Sequence, residues 1–280
     1  MINDNQILNV PHGIQIIKYL NYTKDDFINP LAFIGCPGIA DVGKFAIDSL
    51  IGQLKAQNYI DIIFDDYPAG AIVDDSILAA PKAEILVWKD PDKLRDILLI
   101  TADAQSLTPK GIYKISNFLT EIIAQCGVKL IIALGAYPIN SQRINPKVPK
   151  IYLTSTNRDL LESFLTKINC EKIKKGVIIG ANGLIPTLAK ARFSIDGLVF
   201  LGETDNLVMV NEDITDLKAS ITLLNMIKDL FSLPIENKYS LDKIEDITKN
   251  LQEKRNKLEQ DLDTFNFIDN TEEKKKSLYI

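Results

Sequence analysis

Short apolar runs alternate with longer amphipathic stretches along most of the chain, a pattern that predicts a layered α/β fold. Ile14-Gln15-Ile16-Ile17 alternates as an edge strand should, whereas Leu31–Ile34 is apolar throughout. Further strands are predicted over Ile60–Phe64, Ala83–Trp88, Asp96–Thr101, Lys129–Leu134, Lys150–Leu153, Val177–Ile179 and Leu198–Leu201. Continuous apolar strands imply a sheet covered on both faces. Helices are predicted over Asp41–Ala56, Thr108–Cys126, Arg158–Ile168, Leu184–Ala191 and Ile214–Phe231. Within Thr108–Cys126, Ile112, Ile115, Leu119, Ile122 and Ile123 recur at three- and four-residue steps and mark a core-facing stripe.

The core pattern stops at Ser232-Leu233-Pro234, because proline ends the preceding helix. Beyond it, Ile244, Leu251, Leu258 and Phe265 fall at seven-residue intervals, with Leu241 and Leu262 in a second register. One long amphipathic helix is the reading, packing by a narrow seam with Gln252–Lys257 on a charged outer face. The polar run Asn270–Ser277 then reads as a mobile tail. The expected organisation is an α/β core over 1–235, a C-terminal helix over 236–267 and a tail over 268–280. The core is expected to be a three-layer sandwich around a mostly parallel or mixed sheet. No internal repeat is found.

Composition narrows the function. At 280 residues with 46% hydrophobic and 25% charged residues, the chain can bury a substantial core. A net charge of −5 argues against sequence-independent binding to nucleic acid or anionic lipid. Cys36, Cys126 and Cys170 are widely spaced and form no CxxC pair, so neither a disulfide framework nor a zinc site is expected, and a reducing cytoplasm fits. The opening residues lack a signal-peptide pattern, and no apolar run is long enough to span a bilayer. His12 is the sole histidine and sits beside Pro11 in a predicted loop, which removes the usual resources for histidine triads and multi-histidine metal sites.

One segment invites a phosphate reading. Gly35-Cys36-Pro37-Gly38-Ile39-Ala40-Asp41-Val42-Gly43-Lys44 joins a predicted strand to a helix, and Gly38 through Lys44 fits GxxxxGK. The next residue is Phe45, where a phosphate loop needs Ser or Thr to hold magnesium, and Asp41 places a carboxylate inside the loop. As scaffold, Pro37-Gly38 makes a turn, Asp41 caps the helix and Gly43 allows close helix–sheet approach. A second cluster, Gly180-Ala181-Asn182-Gly183, again joins strand to helix and is expected along the same edge, where ligands of open α/β sheets bind. Asp65-Asp66 and Asp74-Asp75 lack a third ligand and read as turns; Trp88 and Tyr67 read as core or interface aromatics. No metal and no cofactor are expected.

The sequence closes on Ser277-Leu278-Tyr279-Ile280, two large apolar residues and an aromatic at the tip of a charged tail. An aromatic anchor beside a carboxylate is a compact recognition element on a flexible spacer. Lys274-Lys275-Lys276 reads as a solubilising run.

The order of these features, the loop Gly35–Gly43, the turn Gly180–Gly183, the long C-terminal helix and Leu278-Tyr279-Ile280, resembles the archaeal homologues of the second proteasome assembly chaperone. That family is also labelled ATP-grasp-like. The resemblance implies an α/β protein without catalytic residues that forms homo-oligomers. It further implies that Leu278, Tyr279 and Ile280 insert between adjacent α-subunits of the core proteasome, the carboxylate meeting a lysine there. The enzyme alternative is a nucleotide-dependent ligase or hydrolase using Gly38, Gly43 and Lys44 for phosphate and Asp41 for a metal.

Overall fold

The computed structural model describes residues 10–139, 148–205 and 215–236. The helix expected over 236–267, beyond its first residue, and the tail with Leu278, Tyr279 and Ile280 lie outside the described residues, as does Ile214. In chain order the elements are β1 (Ile14–Lys18), β2 (Leu31–Ile34), α1 (Val42–Leu54), β3 (Gln57–Phe64), β4 (Ile72–Asp74), β5 (Ile77–Ala79), β6 (Lys82–Trp88) and β7 (Ile97–Ala102). They continue with α2 (Pro109–Gln125), β8 (Leu130–Ile139), β9 (Ile151–Ser155), α3 (Arg158–Leu165), β10 (Glu171–Lys172), α4 (Ala181–Phe193), β11 (Asp196–Asp205) and α5 (Leu217–Phe231).

Nine of the strands form one mixed sheet in the order β1-β3-β6-β7-β2-β8-β11-β9-β10. The middle four, β7, β2, β8 and β11, run parallel. β6, β3 and β1 add antiparallel on one side, and β9 adds antiparallel on the other with β10 parallel to it. The central strands are apolar on both faces because both are covered. Ala32 and Ile34 pack with α2 and α4, while Leu31 and Phe33 pack with α1, α3 and α5. Phe33 is fully buried and meets Phe231 edge to face at 5.2 Å between ring centres, which pins the end of α5 to the sheet.

The expected stripe on α2 is buried at Ile115, Leu119, Ile122 and Ile123, with Phe118 added. Thr108 caps this helix by accepting from Gly111 N at 2.9 Å, Pro109 occupies its first turn, and Asp66 accepts from Thr108 N at 3.0 Å. Asp66 therefore anchors the α2 entry instead of standing free in a turn. Strands β8 and β11 run to ten residues each, beyond their apolar centres, because they pair with each other as far as Asp205 and Ile139.

One hairpin appears where no element is expected, and one expected strand is absent. The β4–β5 hairpin was not expected: each strand has three residues and its apolar side chains do not enter either core. Val177–Ile179 is not a strand; no ladder among the described residues includes it, and only Ile178 turns inward to the core while its neighbours face solvent.

Candidate functional site at the glycine loops

At the carboxyl edge of the parallel strands, Gly35 extends β2 by donating its N–H to Ile100 O at 3.0 Å. The chain then turns over α1. Ala40 and Asp41 both adopt left-handed backbone, with φ of 51° and 45°. Gly43, in the first turn of α1, lies directly on the sheet: a Cβ there would overlap the carbonyl oxygen of Leu134. A Cβ on Gly35 would overlap the carbonyl of Gly43 itself. Of the two glycines in GxxxxGK, Gly43 is thus used for backbone contact between helix and sheet, whereas a Cβ on Gly38 would meet only ordinary van der Waals contacts.

Asp41 stands at the N-cap position of α1 without capping it; its carboxylate accepts from Gly38 N at 3.4 Å, closing the loop on itself. The left-handed backbone at Asp41 turns the side chain away from the first helical amides. Lys44 pairs with Asp48 one turn along at 3.0 Å and reaches Thr101 Oγ1 at 3.4 Å. Thr101 Oγ1 in turn lies 3.0 Å from Asp48 Oδ1 and 3.2 Å from Gly35 O. The Lys44 ammonium is therefore committed to a cluster on the flank of α1.

The two glycine clusters do meet. Asn182 Oδ1 accepts from Cys36 N at 2.9 Å and its Nδ2 donates to Cys36 O at 3.0 Å, a two-point bond between residues 146 positions apart, buried. Gln105, from the loop after β7, donates to Pro37 O and accepts from Ala181 N at 3.1 Å. On the opposite face Ala40 O accepts from Asp216 N at 3.0 Å, and Asp216 caps α5 through Ala219 N at 2.9 Å. Three loops and the starts of α1, α4 and α5 are joined into one polar knot. Asn182, Gln105 and Thr101 carry no local motif; each finds its partners across a long stretch of chain.

Behind the knot the interior is closed. The space between Cys36, Tyr67, Ser106, Ile115 and Ala181 measures about 10 Å³, room for one water at most. Burial pushes the Cys36 thiol up to about 12 and raises the Tyr67 hydroxyl too. Cys126 is likewise raised to about 12 by burial; partial burial raises Cys170 as well, but it alone of the three is partly exposed to reagent. Brief treatment with iodoacetamide at neutral pH is accordingly expected to modify Cys170 alone, one adduct per folded chain by intact mass; modification of Cys36 would show that the knot opens.

A larger, open cleft of about 830 Å³ lies elsewhere, between β9–β10 and the second half of α5, walled by Ile151, Ile168, Cys170, Met226 and Leu230. None of the candidate loop residues lines it. Among the described residues no group of three or more His, Cys, Asp or Glu side chains is placed to hold a metal ion. No described helix is long and apolar enough to cross a membrane.

Residues 32–258 match the model of the PAC2 family, more than half of the chain. The chain belongs to the PAC2 family. Its sheet and helices superpose on the crystal structure of Pyrococcus furiosus PbaB, described as an archaeal proteasome activator. The TM-score is 0.75 at 26% identity, covering 87% of this chain and 99% of that one. P. furiosus PbaA, described as an archaeal homolog of proteasome-assembly chaperone, shares the fold at a TM-score of 0.68 and 16% identity, covering 96% of this chain and 100% of that one. An uncharacterised protein of Methanocaldococcus jannaschii is 25% identical over 177 residues, 63% of this chain; the match spans 66% of that relative's length. The family resemblance holds: the chain is a PAC2-family member related to an archaeal proteasome activator, and it shares its fold with an archaeal homolog of proteasome-assembly chaperone.

Proposed function

We propose that this PAC2-family chain is a non-enzymatic cytoplasmic partner of the core proteasome, an assembly chaperone or activator, that works without a cofactor. It docks Leu278, Tyr279 and Ile280 into pockets between α-subunits and presents several such tails from a homo-oligomer, so that effective concentration raises the avidity of a short motif. Similarity to an archaeal proteasome activator over 87% of the chain supports the partner. The observation that carries the reading against nucleotide chemistry is the polar knot. Lys44 is paired with Asp48, and Asn182 occupies both backbone groups of Cys36, so this lysine and the Cys36 amide serve the fold.

Surface plasmon resonance on immobilised core proteasome tests the proposal. Full-length protein is expected to bind, and a variant lacking Leu278–Ile280 to lose at least about 100-fold in affinity, since an anchor residue and its carboxylate are removed together. Undiminished binding by the truncated chain would refute the docking assignment.

A further inference from the structure

Two exposed apolar elements have no role in the fold or in the proteasome reading. In the β4–β5 hairpin, Val73 and Leu78 are cross-strand partners on one face, 65% and 72% exposed, and Ile77 on the other face is 70% exposed. A two-stranded ribbon is marginal in water without a surface to cover it. The second element is the extended segment around Val177 and Ile179, 87% and 85% exposed, flanking Ile178, which is partly buried against the core. Its β-branched residues suit a ladder, yet no ladder among the described residues takes it in. One element is a ribbon with free edges, the other a strand-like segment without a partner.

Charge sets them against each other. Residues 57–103, which include the hairpin, carry ten acidic and four basic side chains; Asp61 and Asp96 are buried against Lys82 and Lys89, which leaves the remaining surface acidic. Residues 150–192, which include Val177 and Ile179, carry eight basic and three acidic side chains; Lys150, Lys172, Lys190 and Arg192 are paired with carboxylates, and Lys174 and Lys175 stand next to the segment. Beside the hairpin stands exposed Asp75; beside the segment stand exposed Lys174 and Lys175. Two hairpins brought together would oppose like charges, and so would two basic segments. A hairpin brought to the segment of another copy opposes unlike ones and joins apolar surface to apolar surface.

We propose that the hairpin Ile72–Ala79 of one copy docks on residues 174–179 of a second copy, with Val73 and Leu78 against Val177 and Ile179 and the acidic surface facing Lys174 and Lys175. The contact adds the ribbon to the unpartnered segment by edge-to-edge strand pairing. It involves neither the last three residues nor the proteasome: it supplies an interface for the homo-oligomer proposed above, and removing Leu278–Ile280 is expected to leave self-association unchanged, so the tail docking and this contact fail on different measurements.

The test is sedimentation of the full-length protein across a concentration series, with hydrogen exchange read in parallel. Wild type is expected to self-associate more weakly as salt rises, and amides within 72–79 and 177–179 to gain protection together as concentration rises. Val177→Asp/Ile179→Asp is expected to weaken association about 100-fold while circular dichroism and melting stay near wild type, because both side chains already face water. Lys174→Glu/Lys175→Glu is expected to weaken it, and adding Asp75→Lys to restore part of the loss. Wild type that remains monomeric, or association with the same constant in the Val177→Asp/Ile179→Asp variant, would overturn the proposal. So would protection at one of the two elements without the other.

Discussion

Replacing Gly43 with valine is expected to remove on the order of 4 kcal/mol of folding stability, most of what a marginal domain has to lose. The new side chain must displace the backbone carbonyl of Leu134 in the middle of β8, which cannot give way as a flexible side-chain tip would. The first turn of α1 would lift from the sheet, and with it the loop that Asn182 holds. Gly52, in the same helix, is the internal control. A Cβ there meets nothing within 4 Å, so Gly52→Ala is expected to stabilise by about 0.5–1 kcal/mol through helix propensity alone. Urea unfolding midpoints of the two variants should move in opposite directions. A neutral Gly43→Val would mean that helix and sheet are not in backbone contact.

Asn182→Ala is expected to destabilise by about 2–4 kcal/mol, because it leaves both the N–H and the C=O of Cys36 buried without a partner. Asn182→Asp should recover no more than about half of that: a carboxylate accepts from the N–H but faces the Cys36 carbonyl with no proton to donate. The local readout is the Cys36 amide, whose exchange with deuterium should speed up in both variants ahead of β2 itself. Unchanged exchange at Cys36 would show that the two-point bond does not govern the loop.

Much of the fold is legible from local pattern. The continuous apolar strand Leu31–Ile34 lies inside the sheet as its lack of alternation implies, and α2 buries the stripe that its three- and four-residue spacing marks. The pattern misleads at Val177-Ile178-Ile179, where three β-branched residues in a row look like a buried strand but only the middle one faces the core. It is silent at Ile72–Ala79, since a three-residue strand shows too little of a period to be told from a loop. Helix α4 starts three residues earlier than expected, because Gly180, at φ +91°, makes the turn alone and leaves Asn182 and Gly183 inside the helix. The glycine loops were legible as scaffold through Gly43. The knot was not: the partnership of Asn182 with Cys36, or of Lys44 with Thr101, depends on which strands become neighbours, and local spacing holds no record of that.

The strand order sets a schedule for synthesis. β2 is among the first elements made, yet both its neighbours, β7 and β8, come much later, the second ending at Ile139. At roughly 5–20 residues per second on the ribosome, Leu31–Ile34 waits on the order of 5–20 s before the last of its hydrogen-bonding partners exists. During that interval a fully apolar four-residue segment has both edges unsatisfied, and the amide clasp from Asn182 is further off still. The nascent chain therefore passes through a window in which a strand destined for full burial is exposed and adhesive, and chaperone capture or aggregation during translation should centre on the amino-terminal quarter of the protein.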